Sequence, residues 1–108
     1  MRLDAYQDIT NDTAVYPQDY ALEYLGLGLA SEAGEVAGKL KKIIRDQGGT
    51  LRPEDVAALK SELGDVLWYT AQLADKLGLW LSDVAQTNAH KLYDRKERGA
   101  LQGSGDNR

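Results

Sequence analysis

Cysteine is absent from this 108-residue chain, which removes disulfides, thiolate metal sites and thiol nucleophiles together and makes a zinc site very unfavourable. Phenylalanine is absent too, and the two prolines fall at positions 17 and 53, outside the long periodic runs. With Leu, Ala and Val dominating the apolar set, that pattern favours an all-α domain. His90 is the only histidine, and no glutamate stands three residues from it. Inward-facing di-iron or di-manganese carboxylate centres require Glu-x-x-His pairs, so redox metal chemistry is disfavoured and His90 reads as a helix-surface or interface residue. No apolar stretch approaches the ~20 residues needed to cross a bilayer, so no membrane role is expected. Positive charge is scarce: 13 Lys and Arg stand against 17 Asp and Glu, for a net charge of −4. Non-specific nucleic-acid affinity comes mainly from cations neutralising phosphates, so no nucleic-acid partner is expected. These absences suit a cytoplasmic protein.

What the chain does have is a duplication. Ser31-Glu32-Ala33-Gly34-Glu35-Val36 recurs as Ser61-Glu62-Leu63-Gly64-Asp65-Val66. Both copies lie in runs whose apolar residues are spaced three and four apart, so each acid pair projects from one side of a helix. A single Glu-x-x-acid pair is ordinarily solvated surface. Two copies at matched places point instead to one cluster of Glu32, Glu35, Glu62 and Asp65, an oxygen-only set suited to Mg²⁺, with Mn²⁺ a substitute. On a wheel of 100° per residue, Glu32 and Glu62 each fall about 70° from the centre of their apolar stripe, and Glu35 and Asp65 about 60° further out. Packing the two stripes together would bring all four acids to one seam, with Gly34 and Gly64 expected to permit close backbone approach.

Along the chain, a short amphipathic helix is expected over Leu3 to Thr10, then a connection through Asn11, Asp12, Thr13 and Pro17. Asp19 is a candidate N-cap for a long helix carrying Leu22, Leu25, Leu29, Ala33, Val36, Leu40 and Ile43 or Ile44, stopped by Gly48-Gly49. Pro53, followed by Glu54 and Asp55, opens a helix that terminates at Gly78. Ser82 is a candidate cap for a last helix ending near Gly99. Residues 1–102 are expected to form one four- to five-helix domain, and 103–108 a polar tail, mobile unless something holds it. A domain of this size buries a modest fraction of its surface, which makes a homo-oligomer, dimer or tetramer, plausible.

Charge is unevenly placed. Residues 1–35 hold seven acids and one cation, Arg2, whereas residues 90–108 hold Lys91, Arg95, Lys96, Arg98 and Arg108 against three acids. Asn88, Lys91, Asp94, Arg95 and Arg98 share one face of the last helix. That face is either solvated or a grip on a polyphosphate opposite a carboxylate-held metal. Lys39, Lys41, Lys42 and Arg45 suit the negative end of their helix by default.

Taken together, Glu32-x-x-Glu35, twenty-six residues, then Glu62-x-x-Asp65 resembles the metal-binding signature of the MazG-like all-α nucleoside triphosphate pyrophosphohydrolases. The likeness extends to Leu27–Val36, to Glu62–Tyr69, to Asn88-x-x-Lys91-x-x-Asp94-Arg95 and to the terminal Gly-Ser-Gly-Asp-Asn-Arg, as in short single-domain members of bacteria and phages. It implies a helical bundle, at least dimeric, that cleaves NTPs or dNTPs between the α and β phosphates. Glu32, Glu35, Glu62 and Asp65 would hold Mg²⁺, with one of the three glutamates an alternative base for the attacking water. Asn88, Lys91, Asp94, Arg95 and Arg108 are candidate substrate contacts. Some relatives, notably dUTP-cleaving ones, place a further Glu where this chain has Ser31, which weakens a dUTPase assignment. The competing reading is a non-catalytic homo-oligomeric helical interaction module whose acids hold a structural cation or none.

Overall fold

The 3.6-residue period of the apolar positions is realised directly. A computed structural model describes residues 1–108 as helices α1 (Leu3–Thr10), α2 (Ala21–Gln47), α3 (Pro53–Lys76) and α4 (Leu81–Glu97), with short 3₁₀ turns at Asn11–Thr13 and Gln18–Tyr20 and no strand. The stops are those the glycines demand. Gly48 (φ 59°) and Gly78 (φ 72°) take the left-handed conformation that favours glycine, and the N–H groups of Gly49 and Leu79 return to the carbonyls of Ile43 and Ala74. Pro53 opens α3 at the position where its missing N–H costs nothing, and the Asp55 carboxylate accepts the Arg52 backbone N–H at 2.9 Å.

Two expected caps are not used. Asp19 lies inside the 3₁₀ turn before α2, and Tyr20 occupies the cap position without a side-chain bond. Ser82 lies one residue inside α4, whose N-terminus is capped from a distance by α1. The Asp4 carboxylate accepts the Ser82 N–H (2.9 Å) and hydroxyl (2.7 Å), and Gln7 Oε1 accepts the Leu81 N–H. Gln7 Nε2 donates in turn to the Leu79 carbonyl at 2.9 Å. One buried glutamine thus satisfies a donor and an acceptor of the α3–α4 turn, groups that the helix geometry leaves without partners.

The long helices α2 and α3 pack chiefly on each other, and α1 lies across α3 and the start of α4. Leu25, Ile43, Ala71, Ala74 and Leu81 are buried between these elements, whereas Leu40, Ile44, Val56, Leu63 and Leu67 on the two long helices remain exposed. The radius of gyration, 16.7 Å, exceeds the roughly 13 Å of a closely packed domain this long. The expectation that Gly34 and Gly64 allow the helices to approach is not met within one chain, because a Cβ on either would meet open space. Gly28 has that role: a Cβ there would run into the Tyr69 ring. The polar tail is held against α4, with Arg95 Nη2 donating to the Asp106 carbonyl (2.9 Å) and Arg98 Nη2 to the Arg108 carbonyl (2.6 Å).

Replacing Gln7 leaves two backbone groups of the turn unpaired. Gln7→Ala is expected to lower unfolding free energy by about 2–3 kcal/mol, read from urea denaturation, while leaving helix content unchanged.

Candidate functional site

The repeated motif places equivalent residues at equivalent depth: Glu32 on α2 and Glu62 on α3 are half-buried, and Glu35 and Asp65, one turn along, are exposed. Pairing of α2 with α3 then brings carboxylate oxygens of Glu32, Glu62 and Asp65, one from each residue, within 4.8 Å of one another. Glu35 falls outside this group. Its charge still reaches Glu32, whose carboxyl is raised above the usual carboxylate range by burial first and then by Asp65, Glu62 and Glu35. Three anions from two helices, with no thiolate or imidazole among them, make a donor set that fits a hard divalent cation.

A cavity of about 380 Å³ opens beside these acids, lined by Thr13, Glu32, Asp65, Trp68 and Tyr69. Its volume lies in the range of small-molecule sites. Trp68 and Tyr69 meet edge to face at 5.0 Å, and Tyr16 meets Trp68 at 6.4 Å in the same manner. Burial raises the Tyr69 phenol, with Tyr24 and then the Glu32 and Asp65 charges adding to the shift. Tyr6 on α1 is raised likewise by burial and by Asp65. Lys39 lies on the same face of α2, its Nζ 3.6 Å from Glu62 Oε1. It is the cation paired with the cluster, where sequence reasoning left it to the helix dipole. The signal was present: Lys39 stands seven residues after Glu32, two helical turns along one face.

The residues of α4 lie elsewhere. Asn88 and Lys91 line a groove with Leu79, Asp83, Val84 and Thr87 that shares no residue with the acidic cavity. Asp94 accepts from Arg98 Nε at 2.9 Å. Arg95 is buried and committed to the tail, and Arg108 donates to the carbonyls of Gly105 and Leu101. Thr13, which lines the cavity, and Gly28, which lies against the Tyr69 ring, carried no site role in the sequence reading.

Residues 21–99 match the MazG nucleotide pyrophosphohydrolase domain. The chain belongs to the MazG family. A curated relative, the Gene 37 protein of Mycobacterium phage L5, is 51% identical over 114 aligned residues that span both chains completely. No solved structure matches the chain. The four-helix, strand-free architecture agrees with the all-α MazG fold, and the acidic cluster sits where α2 and α3 carry the repeated motif of the matched region. No helix of the chain is long and apolar enough to cross a membrane.

Because ionising Glu32 opposes burial and like charge, its raised value favours folding where it is protonated, and that contribution is lost as pH rises through it. In EDTA, Glu32→Gln is therefore expected to match wild-type Tm below pH ~4, under the ordinary glutamate value, and to exceed it at pH 7. Thermal scans across that range check the sign.

Proposed function

We propose that this MazG protein is a Mg²⁺-dependent nucleoside triphosphate pyrophosphohydrolase, accepting Mn²⁺ as a substitute, that cleaves NTPs or dNTPs to the monophosphate and pyrophosphate and so serves nucleotide-pool control in the cytoplasm. The observation that carries this reading is the convergence of Glu32, Glu62 and Asp65 beside a ligand-sized, aromatic-walled cavity in a chain of this family.

Glu32, Glu62 and Asp65 would hold the cation, with Glu35 completing the set or, as the exposed acid outside the group of three, accepting a proton from the attacking water. The bound ion would neutralise the triphosphate and make water a better nucleophile at neutral pH. The chain's own contribution is positioning and charge, which is what phosphoryl chemistry chiefly requires. Lys39 holds Glu62 by charge at the edge of the cluster. Trp68 and Tyr69 line the cavity together with Glu32 and Asp65 and offer aromatic surface to a bound ligand.

A homo-oligomer accords with the exposed Leu40, Ile44, Leu63 and Leu67, the extended radius of gyration, and the open space over Gly34 and Gly64, where a second copy can approach closely. A second copy would also let the Asn88–Lys91 face of one α4 meet the acids of another, bringing a cation to the phosphates.

Chromatography of the products after incubation with each of the eight common NTPs and dNTPs and Mg²⁺ tests the reaction. Monophosphate and intact pyrophosphate are expected from at least one; diphosphate with orthophosphate as primary products contradicts the cleavage position. Lys91→Ala is expected to raise KM for that triphosphate about tenfold while shifting stability by less than ~1 kcal/mol, since an exposed helix charge contributes little to folding. Steady-state kinetics with a parallel melt measure both.

A further inference from the structure

The matched family region begins at residue 21, yet the acidic cavity has a wall that comes from before it. Thr13, at the end of the 3₁₀ turn after α1, lines the cavity, and its hydroxyl accepts the Trp68 indole N–H at 2.8 Å while donating to the Thr10 carbonyl at 3.3 Å. The turn is itself fixed from below. Gln72 on α3 donates from Nε2 to Thr10 Oγ1 (2.7 Å) and Asn11 Oδ1 (3.0 Å), and accepts the Tyr16 hydroxyl at 2.7 Å. Gln72 and Thr10 are fully buried, so the bonds at the base of the turn are shielded from water and anchor the segment that carries Thr13.

The indole N–H is the one polar atom of the Trp68 ring. Because Thr13 takes it, the ring turns an apolar surface to the cavity, locked edge to face against Tyr69, which is itself seated over Gly28. The cavity thus has acids, Glu32 and Asp65, and aromatic rings, Trp68 and Tyr69, in one lining. A triphosphate would approach the acids only through a bridging cation, and a planar heterocycle is the group that the aromatic rings attract. Resting on the proposed nucleotide reaction, we infer that the turn after α1 contributes to the wall of the substrate site through Thr13, and that Thr13 is the positioning residue which holds Trp68 for the nucleoside end of the ligand.

The Thr13–Trp68 bond lies at the surface, so its loss should disturb the site more than the fold. Thr13→Val removes the hydroxyl at constant shape, and Thr13→Ser restores it. In a full-length Trp80→Phe background, where Trp68 is the only tryptophan, the emission of Trp68 should shift in Thr13→Val and return in Thr13→Ser. With the best triphosphate, Thr13→Val should raise KM about five- to tenfold, a fraction of what one base–aromatic stack contributes, with kcat within about twofold. Thr13→Ser should stay within about twofold of wild type, and calorimetric Mg²⁺ affinity without nucleotide should be the same in all three. An unchanged KM in Thr13→Val, a serine variant as impaired as the valine one, or a parallel loss of Mg²⁺ affinity overturns the positioning role while leaving the reaction intact. A wild-type protein that turns over no triphosphate overturns the reaction itself, and the inference with it.

Discussion

Three carboxylate oxygens held within 4.8 Å repel one another, and burial of Glu32 makes that repulsion harder to screen. The rest of the molecule is arranged around sustaining this arrangement. Two helices of 27 and 24 residues pack chiefly on each other, with Leu25 and Ile43 buried near the two ends of α2, and that packing holds the acids in register without any bond between the acids themselves. Lys39 offsets part of the charge at Glu62. A divalent cation would offset far more, so the same feature that weakens the metal-free chain gives a bound ion its free energy.

The short helix α1 does disproportionate work for eight residues. Asp4 and Gln7 close the N-terminus of α4, Gln7 also closes the turn after α3, and Thr10 at the end of α1, with Asn11 in the turn beyond it, bonds to Gln72 beneath the segment that carries Thr13. This is an alternative to local capping. Helix ends that lack their own cap residue are satisfied by side chains more than seventy positions away, which ties the α3–α4 turn to the start of the chain. Removing α1 therefore reaches both the α3–α4 turn and the Thr13–Trp68 contact at the candidate site.

Much of this architecture was legible in sequence because it is periodic or local. Glu32, Glu62 and Asp65 were found from the repeat, their relative depth from the helical wheel, and the helix ends at Gly48, Pro53 and Gly78 from backbone chemistry that depends on single residues. What was missed depends on contacts between distant positions. Nothing near Ser82 says that Asp4 will reach its N–H, and nothing near Trp68 says that Thr13 will accept its indole proton, 55 residues away. The glycines illustrate the same limit: Gly34 and Gly64 stood out by repetition and face open space, whereas Gly28, outside the repeat, is the one pressed by a ring. Arg95 carried a phosphate-contact expectation on spacing alone, and its commitment to the Asp106 carbonyl depends on how the tail folds back.

The measurement that bears most directly on the account is the thermal stability of the wild-type protein and of Asp65→Asn as Mg²⁺ is titrated in without nucleotide. Binding to the folded state alone raises stability by RT ln(1 + [L]/Kd), so the wild type should gain Tm in a dose-dependent manner. Asp65→Asn, which removes one ligand charge at nearly constant size, should lose most of that gain. An equal rise in both proteins, or none in the wild type up to millimolar Mg²⁺, would contradict a cation site built from Glu32, Glu62 and Asp65.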